Sequence, residues 1–262
     1  MIKAKKSLGQ NFLIDQNSIN RILEIVEIKD KYILEIGPGT GNLTKNILKK
    51  NPKEIIVIEK DNMLAELLNK EIGKQIQIIN EDILKVDENN LHNNKLTVFG
   101  NLPYNISTEI LCKWILNIDN NRFWFDNLVL MFQKEVADRI IADFNTKNYG
   151  RLTILSKWKL TVKKIFDIKP NSFFPKPKVD SSVLLLQPKF NFYPLKNPKN
   201  LEKLSRIFFM HRRKMLKKPF NQIFNGNIKI AEKFGIDLNL RPQNLNFETY
   251  YKLVEEYENS IC

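Results

Sequence analysis

Metal and disulfide chemistry have almost no material in this chain. It carries two cysteines, Cys112 and Cys262, and two histidines, His92 and His211, with no Cys/His cluster at ligand spacing. No metal site is expected, zinc least of all. The cysteines lie far apart in sequence and nothing points to an oxidising compartment, so no structural disulfide is expected. Long apolar runs are missing too: none approaches the roughly 18 residues needed to cross a bilayer. The opening MIKAKKSLGQNF has basic residues but no apolar stretch of signal-peptide length after them. The expectation is a cytoplasmic protein with no membrane association.

What is present suits a soluble globular protein of one α/β domain plus a smaller appendage. The 262 residues are 43% hydrophobic and 27% charged. The net charge is +13, which implies an anionic partner or a general compositional bias toward Lys, Asn and Ile. Its distribution is more telling than its sum. Residues 189–241 hold 13 Lys/Arg against three Asp/Glu, whereas the final 21 residues are net acidic. The excess is concentrated in one region, as for a nucleic-acid footprint.

In the first half, short β-branched runs alternate with helical stretches. YILEI (32–36), EIIVI (54–58), QIQII (75–79), LTVFG (96–100) and LVLMF (128–132) read as buried strands. Between them, 41–50, 61–72 and 105–117 show apolar residues at three- and four-residue spacing and read as helices. This alternation predicts a mostly parallel sheet covered by helices, with ligands bound beyond the carboxyl ends of its strands. LTILSKWKLTVKKIFDIKP and then VDSSVLLLQP suggest a helix and two further strands. A Pro/Asn-rich stretch at 188–200 marks a boundary, dividing the chain into 1–188 and 189–262. Beyond it, 201–224, 228–235 and 247–258 read as helical.

The first strand ends in Gly37-Pro38-Gly39-Thr40-Gly41 before a helix. Glycines allow a tight turn and close approach to a ligand. The spacing is G-x-G-x-G, not the G-x-G-x-x-G of dinucleotide binding, where a pyrophosphate must face the helix N-terminus. A turn cluster without a ligand has the same appearance. The second strand ends at Glu59, placed to accept the hydroxyls of a ribose. The third runs into Asn80-Glu81-Asp82-Ile83, where Asp82 can accept from an adenine amine and Ile83 can pack on the ring. Each acid alone also reads as a solvated strand-end charge; the glycine loop, Glu59 and Asp82 at three successive strand ends imply an adenosyl ligand.

The fourth strand runs into Asn101-Leu102-Pro103-Tyr104. The N6 amine of adenine is a poor nucleophile because its lone pair is delocalised into the ring. Hydrogen-bond acceptors for the amine hydrogens localise that lone pair. The Asn101 side-chain oxygen and the Leu102 carbonyl are candidates, Pro103 stiffens the turn, and Tyr104 offers a face for an extruded base. With a sulfonium methyl donor the transfer needs positioning more than acid–base groups. Taken alone, N-L-P-Y is also an Asn-Pro turn with a core tyrosine. Placed after three nucleoside-binding loops, it points to S-adenosylmethionine-dependent methylation of adenine.

SLGQNFLID (7–15), LEIGPGTGNLT (34–44), VIEKD (57–61), FGNLPYNIS (99–107), QKEVADRI (133–140), YGRL (149–152), FFPKPKVDSSV (173–183) and HRRKML (211–216) together resemble the bacterial small-subunit rRNA adenine dimethyltransferases (the KsgA family), relatives of the macrolide-resistance rRNA methylases. The resemblance implies a Rossmann-like methyltransferase sheet with a smaller, all-helical C-terminal domain. It implies cofactor contacts from Asn11, Leu13, Gly37, Glu59, Asp82 and Asn101, with Gly39 and Ile83 alongside. Phe173 resembles the second aromatic holding the base against Tyr104, although the Phe173-Phe174 doublet leaves open which ring does so. By the same resemblance, the substrate is a pair of adjacent adenines in a hairpin loop near the 3′ end of 16S rRNA, within assembling small subunits.

The basic tract, especially Arg212, Arg213, Lys214, Lys217 and Lys218, is expected to hold the rRNA backbone, with Lys3, Lys5 and Lys6 joining from the N-terminus. A monomer is expected. Three competing readings are a large-subunit methylase of the macrolide-resistance branch, a non-enzymatic assembly factor, and a Rossmann dehydrogenase.

Overall fold

The computed structural model describes residues 4–5, 8–118 and 122–260. Lys3, Lys6 and Cys262 lie outside the described residues. In chain order the strands and α-helices are β1 (Phe12–Leu13), α1 (Gln16–Leu23), β2 (Tyr32–Ile36), α2 (Asn42–Leu48), β3 (Glu54–Ile58), α3 (Asn62–Ile72), β4 (Gln77–Ile79), β5 (Leu96–Asn101), α4 (Ser107–Asn117), β6 (Phe125–Gln133), α5 (Lys134–Ile141), α6 (Arg151–Lys159), β7 (Leu160–Ile168), β8 (Phe173–Phe174), β9 (Ser181–Pro188), α7 (Pro198–Met210), α8 (Lys217–Phe224), α9 (Ile228–Lys233) and α10 (Phe247–Ser260).

A seven-stranded sheet has the order β4-β3-β2-β5-β6-β9-β7. β4 to β6 run parallel, and β9 is antiparallel to β6. The strands are continuous apolar runs because helices cover both faces of a parallel sheet. From β2 the chain moves outward through β3 to β4, then returns to β2's other side as β5. The ends of β2 and β5 therefore lie side by side at a switch point, where open α/β sheets bind ligands. Register makes this concrete: Ile36 pairs with both Ile58 and Gly100, and Ile58 pairs with Ile79. The residues that follow these positions gather on one edge.

Local chemistry starts the helices where the patterns predict. Asp15 caps α1 by accepting from the Ser18 amide at 2.8 Å and its hydroxyl at 2.6 Å. Asp61 caps α3, whose Leu64, Ala65, Leu68 and Ile72 face the core at helical spacing. One pairing had no signal in the sequence. β1 and β8 form a separate two-stranded antiparallel sheet, with Phe12 opposite Phe174 and Leu13 opposite Phe173.

The chain divides into two compact units, one running to Ala137 and resuming at Thr161–Pro188, the other comprising Asp138–Leu160 and the residues from Lys189 on. A cut at 188 matches one edge of this division, but 138–160, expected in the first domain, packs with the second unit. The reason is aromatic: Tyr149 is fully buried, edge-on to Phe209 and Phe247 at 5.9 and 5.3 Å. Trp158 Nε1 donates to the Tyr193 carbonyl at 2.8 Å and the Tyr251 hydroxyl to that of Ile154 at 3.3 Å. This smaller unit is helical. Its buried Glu258 on α10 accepts from the amides of Lys196 and Asn197 at 2.9 and 2.8 Å, satisfying donors at the start of α7. No helix among the described residues is long and apolar enough to cross a membrane.

Candidate active site

A cleft opens along the carboxyl edge of β2, β3, β4 and β5, lined by Gly37, Gly39, Glu59, Asp82, Ile83, Asn101, Leu102, Pro103 and Tyr104, and closed on one side by residues 8–12. Nine of the residues chosen from strand-end loops thus meet in one place, as does Asn11, which only the family resemblance had singled out.

Glu59 stands where the cleft meets the ends of β2 and β3. The sheet ladder continues past the strand ends, Gly37 N donating to the Ile58 carbonyl at 2.9 Å and Glu59 N to that of Ile79 at 3.0 Å. The Glu59 carboxylate is buried; one oxygen accepts from Gly39 N at 3.1 Å and the other from Asp61 N at 2.8 Å. Burial pushes its pKa up, against the opposing pull of these main-chain donors. Each oxygen keeps a lone pair for a ribose hydroxyl. Asn80 donates its amide to the Glu59 carbonyl at 2.8 Å, fixing the strand end. Gly39 sits at φ +58°, and a Cβ there would fall 2.7 Å from the Phe12 ring. The Phe12 ring of β1 thus packs directly on the glycine loop, and only glycine fits at this position.

Asp82 caps the turn of 3-10 helix at Ile83–Lys85 through the Leu84 amide, at 3.0 Å. Its other oxygen meets Lys60 Nζ at 2.6 Å, and that ammonium holds the carboxyl below its usual range. Asp82 is therefore an anionic acceptor at the cleft. Ile83, buried beside it, gives an apolar wall of the kind an adenine ring packs on.

At the end of β5, Asn101 Nδ2 donates to the Asn11 carbonyl at 2.6 Å. The amide thereby uses its donor on the N-terminal segment and keeps Oδ1 as an acceptor. The Pro103 carbonyl accepts from Ile106 N and that of Tyr104 from Ser107 Oγ, so both are engaged in closing the loop, leaving Leu102's as the candidate second acceptor. The Leu102 side chain itself is buried. The Tyr104 hydroxyl is hydrogen-bonded to Ser181 Oγ, and burial raises the phenol pKa, which keeps it neutral.

Three expected residues are placed otherwise. Leu13 lies beside the main cleft, on a smaller adjoining pocket that it lines with Gly37 and Asn101; its side chain is mostly buried in the core and its carbonyl accepts from Asn42 Nδ2 at 2.8 Å. Phe173 is not an open stacking face; at 3% exposure it packs with Leu13, Met131 and Val183 in the core, while strand alternation leaves Phe174 55% exposed. Lys5 is ion-paired with Asp61 at 2.8 Å. Gln10 donates to the other Asp61 oxygen at 3.0 Å, so Asp61 ties the N-terminal segment to the start of α3. Sequence reasoning missed Asp61 and Gln10 because their link spans 51 residues; only Asp61's place at the start of a helix was legible.

In the helical unit, Arg213, Lys214, Lys217 and Lys218 are exposed. Arg212 differs: its guanidinium donates to the Lys147 carbonyl and to Gln243 Oε1, the latter at 3.3 Å, so it braces the 146–147 loop.

A carboxylate and glycine loop built for a nucleoside, ending beside an amide acceptor and an aromatic ring on a seven-stranded α/β sheet, define a nucleoside-dependent methyltransferase. Comparison with known proteins agrees. The profile described as "Ribosomal RNA adenine dimethylase" matches residues 1–259. "Ribosomal RNA small subunit methyltransferase A" of Pelagibacter ubique is 67% identical over 258 residues, covering 98% of each chain. A dimethyladenosine transferase of Plasmodium falciparum, solved by crystallography, superposes with a TM-score of 0.80 at 28% identity, over 95% of this chain and 98% of its own. The 23S rRNA methyltransferase ErmE shares the fold, with a TM-score of 0.67 at 22% identity over 95% of this chain and all of its own. The chain belongs to the ribosomal RNA adenine dimethylase family. It is an enzyme that methylates adenines of ribosomal RNA, with S-adenosylmethionine as methyl donor.

Proposed function

We propose that this enzyme dimethylates N6 of two adjacent adenines in a hairpin loop near the 3′ end of small-subunit rRNA, acting as a monomer in the cytoplasm on subunits under assembly. The name and 98% coverage of the Pelagibacter relative support the small-subunit branch over the large-subunit one. When bound, S-adenosylmethionine supplies an electrophilic sulfonium methyl. Glu59 holds its ribose, Asp82 its adenine amine, Ile83 its ring, and Asn11, Gly37 and Gly39 line its path; Leu13 contributes its main chain at most.

The observation that carries the catalytic assignment is the Asn101 amide donating to Asn11. Rotated the other way, the side chain would present NH₂ to the target amine and repel it. As held, Oδ1 and the Leu102 carbonyl accept the two amine hydrogens, which raises the lone-pair density on N6. Pro103 sets the turn, and Tyr104 stacks on the base. A loop base costs least to extrude, since its stacking is already broken. Of the phenylalanine doublet, Phe174 has the accessible ring; Phe173 can serve the base only if its ring is uncovered as the base enters.

Arg213, Lys214, Lys217 and Lys218 bind rRNA phosphates, with Arg212 shaping that surface. Lys217 and Lys218 occupy the first turn of α8, which holds no acidic residue. Cations there oppose the helix dipole, so their placement serves a ligand more than the helix. The test is Asn101→Ala, which should lower methyl transfer by about a hundredfold or more, as for loss of a preorganised polar group. An Asn101→Ala enzyme of near wild-type rate would contradict the assignment.

A further inference from the structure

We propose that Ser181 is a positioning residue whose hydroxyl bond to Tyr104 fixes the stacking ring and so carries the reaction from the first methyl to the second. The inference rests on the reading of Tyr104 as the base-stacking ring.

Ser181 opens β9 with no exposed surface, and its Oγ is hydrogen-bonded to the Tyr104 hydroxyl. Its place is set by the sheet. Along β6, Met131 pairs with Asn101 on one side and Val183 on the other, and Gln133 pairs with Ser181. One strand thus carries both anchors of the N-L-P-Y loop in register: the ladder holds Asn101 at its start, and Ser181 holds Tyr104 at its end.

The neighbours of Ser181 are themselves held. Ser182 Oγ donates to Asp167 at 2.6 Å, and Asp167 also pairs with Lys134 and Lys164, each at 2.7 Å. Lys134 N donates to the Asp180 carbonyl at 2.9 Å. The serine is a fixed point, and a phenol bonded to it cannot tilt. Because the hydroxyl lies on the ring's long axis, the bond fixes the direction of that axis, and so the place of the ring, and leaves rotation about the axis to the surrounding packing. A residue needed for stacking alone would be served by phenylalanine. Tyrosine with a fully buried hydroxyl partner anchors the far end of the ring as well.

The consequence falls on the second transfer. Unmodified adenine presents two N6 hydrogens, one to each acceptor. Each transfer forms an N6–carbon bond, breaks the sulfur–carbon bond and releases one amine proton to solvent. The monomethylated amine has one hydrogen left, so one acceptor loses its hold and the stacking ring carries more of the orientation. Loosening the ring should therefore slow the second transfer more than the first.

The experiment compares Tyr104→Phe, Ser181→Ala and the double variant on undermethylated small subunits, following N6-methyladenosine and N6,N6-dimethyladenosine by mass spectrometry and S-adenosylmethionine affinity by calorimetry. Each single variant should lose about tenfold in rate, the equivalent of one buried hydrogen bond. Each should raise the monomethyl share with cofactor affinity unchanged, and the double should be no worse than either single. Wild-type rate and product ratio in Tyr104→Phe, or losses that multiply in the double, would overturn the proposal. Should Ser181→Ala not bind cofactor, and so not fold, Tyr104→Phe decides alone, since it changes only the hydroxyl. Tyr104→Ala tests the stacking itself: full activity there would overturn the reading beneath this one.

Discussion

Phe173 and Phe174 show how one residue of register divides two roles. In β8 they point to opposite sides, so one ring is core and the other is solvent-facing. Phe173→Ala should destabilise the protein by about 3–5 kcal/mol, as expected for a truncated core phenylalanine. Phe174→Ala should change stability by no more than about 0.5 kcal/mol. Denaturant melts separate the two, and the rRNA KM of each properly folded variant shows which ring serves the base. A Phe173→Ala protein of wild-type stability with a raised KM would show that Phe173 is uncovered in the working enzyme. At this scale the sequence was readable where chemistry repeats at strand ends: Gly37, Glu59, Asp82 and Asn101, chosen by position, all line one cleft. Asp61, Gln10 and the brace role of Arg212 were not, because each depends on a partner far away in the chain.

Among the elements, the strands β2 to β6 and helices α2 to α4 were legible from apolar periodicity and turn residues. β4 is shorter than its apolar run because Gln75 and Ile76 precede the paired residues. What stayed hidden was pairing between remote segments, above all β1 with β8, which are two residues each and carry no periodicity. That small sheet matters, because Phe12 seals the cofactor loop at Gly39. Gly39→Ala places a side chain at φ +58° and drives a methyl into the Phe12 ring. It should weaken S-adenosylmethionine binding by tenfold or more, measured by calorimetry. A Gly39→Ala, Phe12→Ala pair should recover only part of that loss, because the backbone strain remains.

For the molecule as a whole, the concentration of basic residues in 189–241 is the feature on which the proposed RNA surface rests, and Arg213, Lys214, Lys217 and Lys218 are exposed there. The division into units did not follow from sequence, since 138–160 joins the second unit through packing of Tyr149 on Phe209 and Phe247, rings far away along the chain. Replacing Lys214, Lys217 and Lys218 by Glu should weaken subunit binding and flatten its dependence on salt, because fewer counterions are released, while cofactor affinity holds. An unchanged salt slope would move the RNA surface elsewhere. The central claim is chemical and has a direct measurement: purified enzyme, labelled S-adenosylmethionine and undermethylated small subunits, followed by nucleoside analysis of the rRNA. The account predicts label in N6,N6-dimethyladenosine at two adjacent positions. Label confined to another nucleoside, or to large-subunit rRNA offered in parallel, would contradict it.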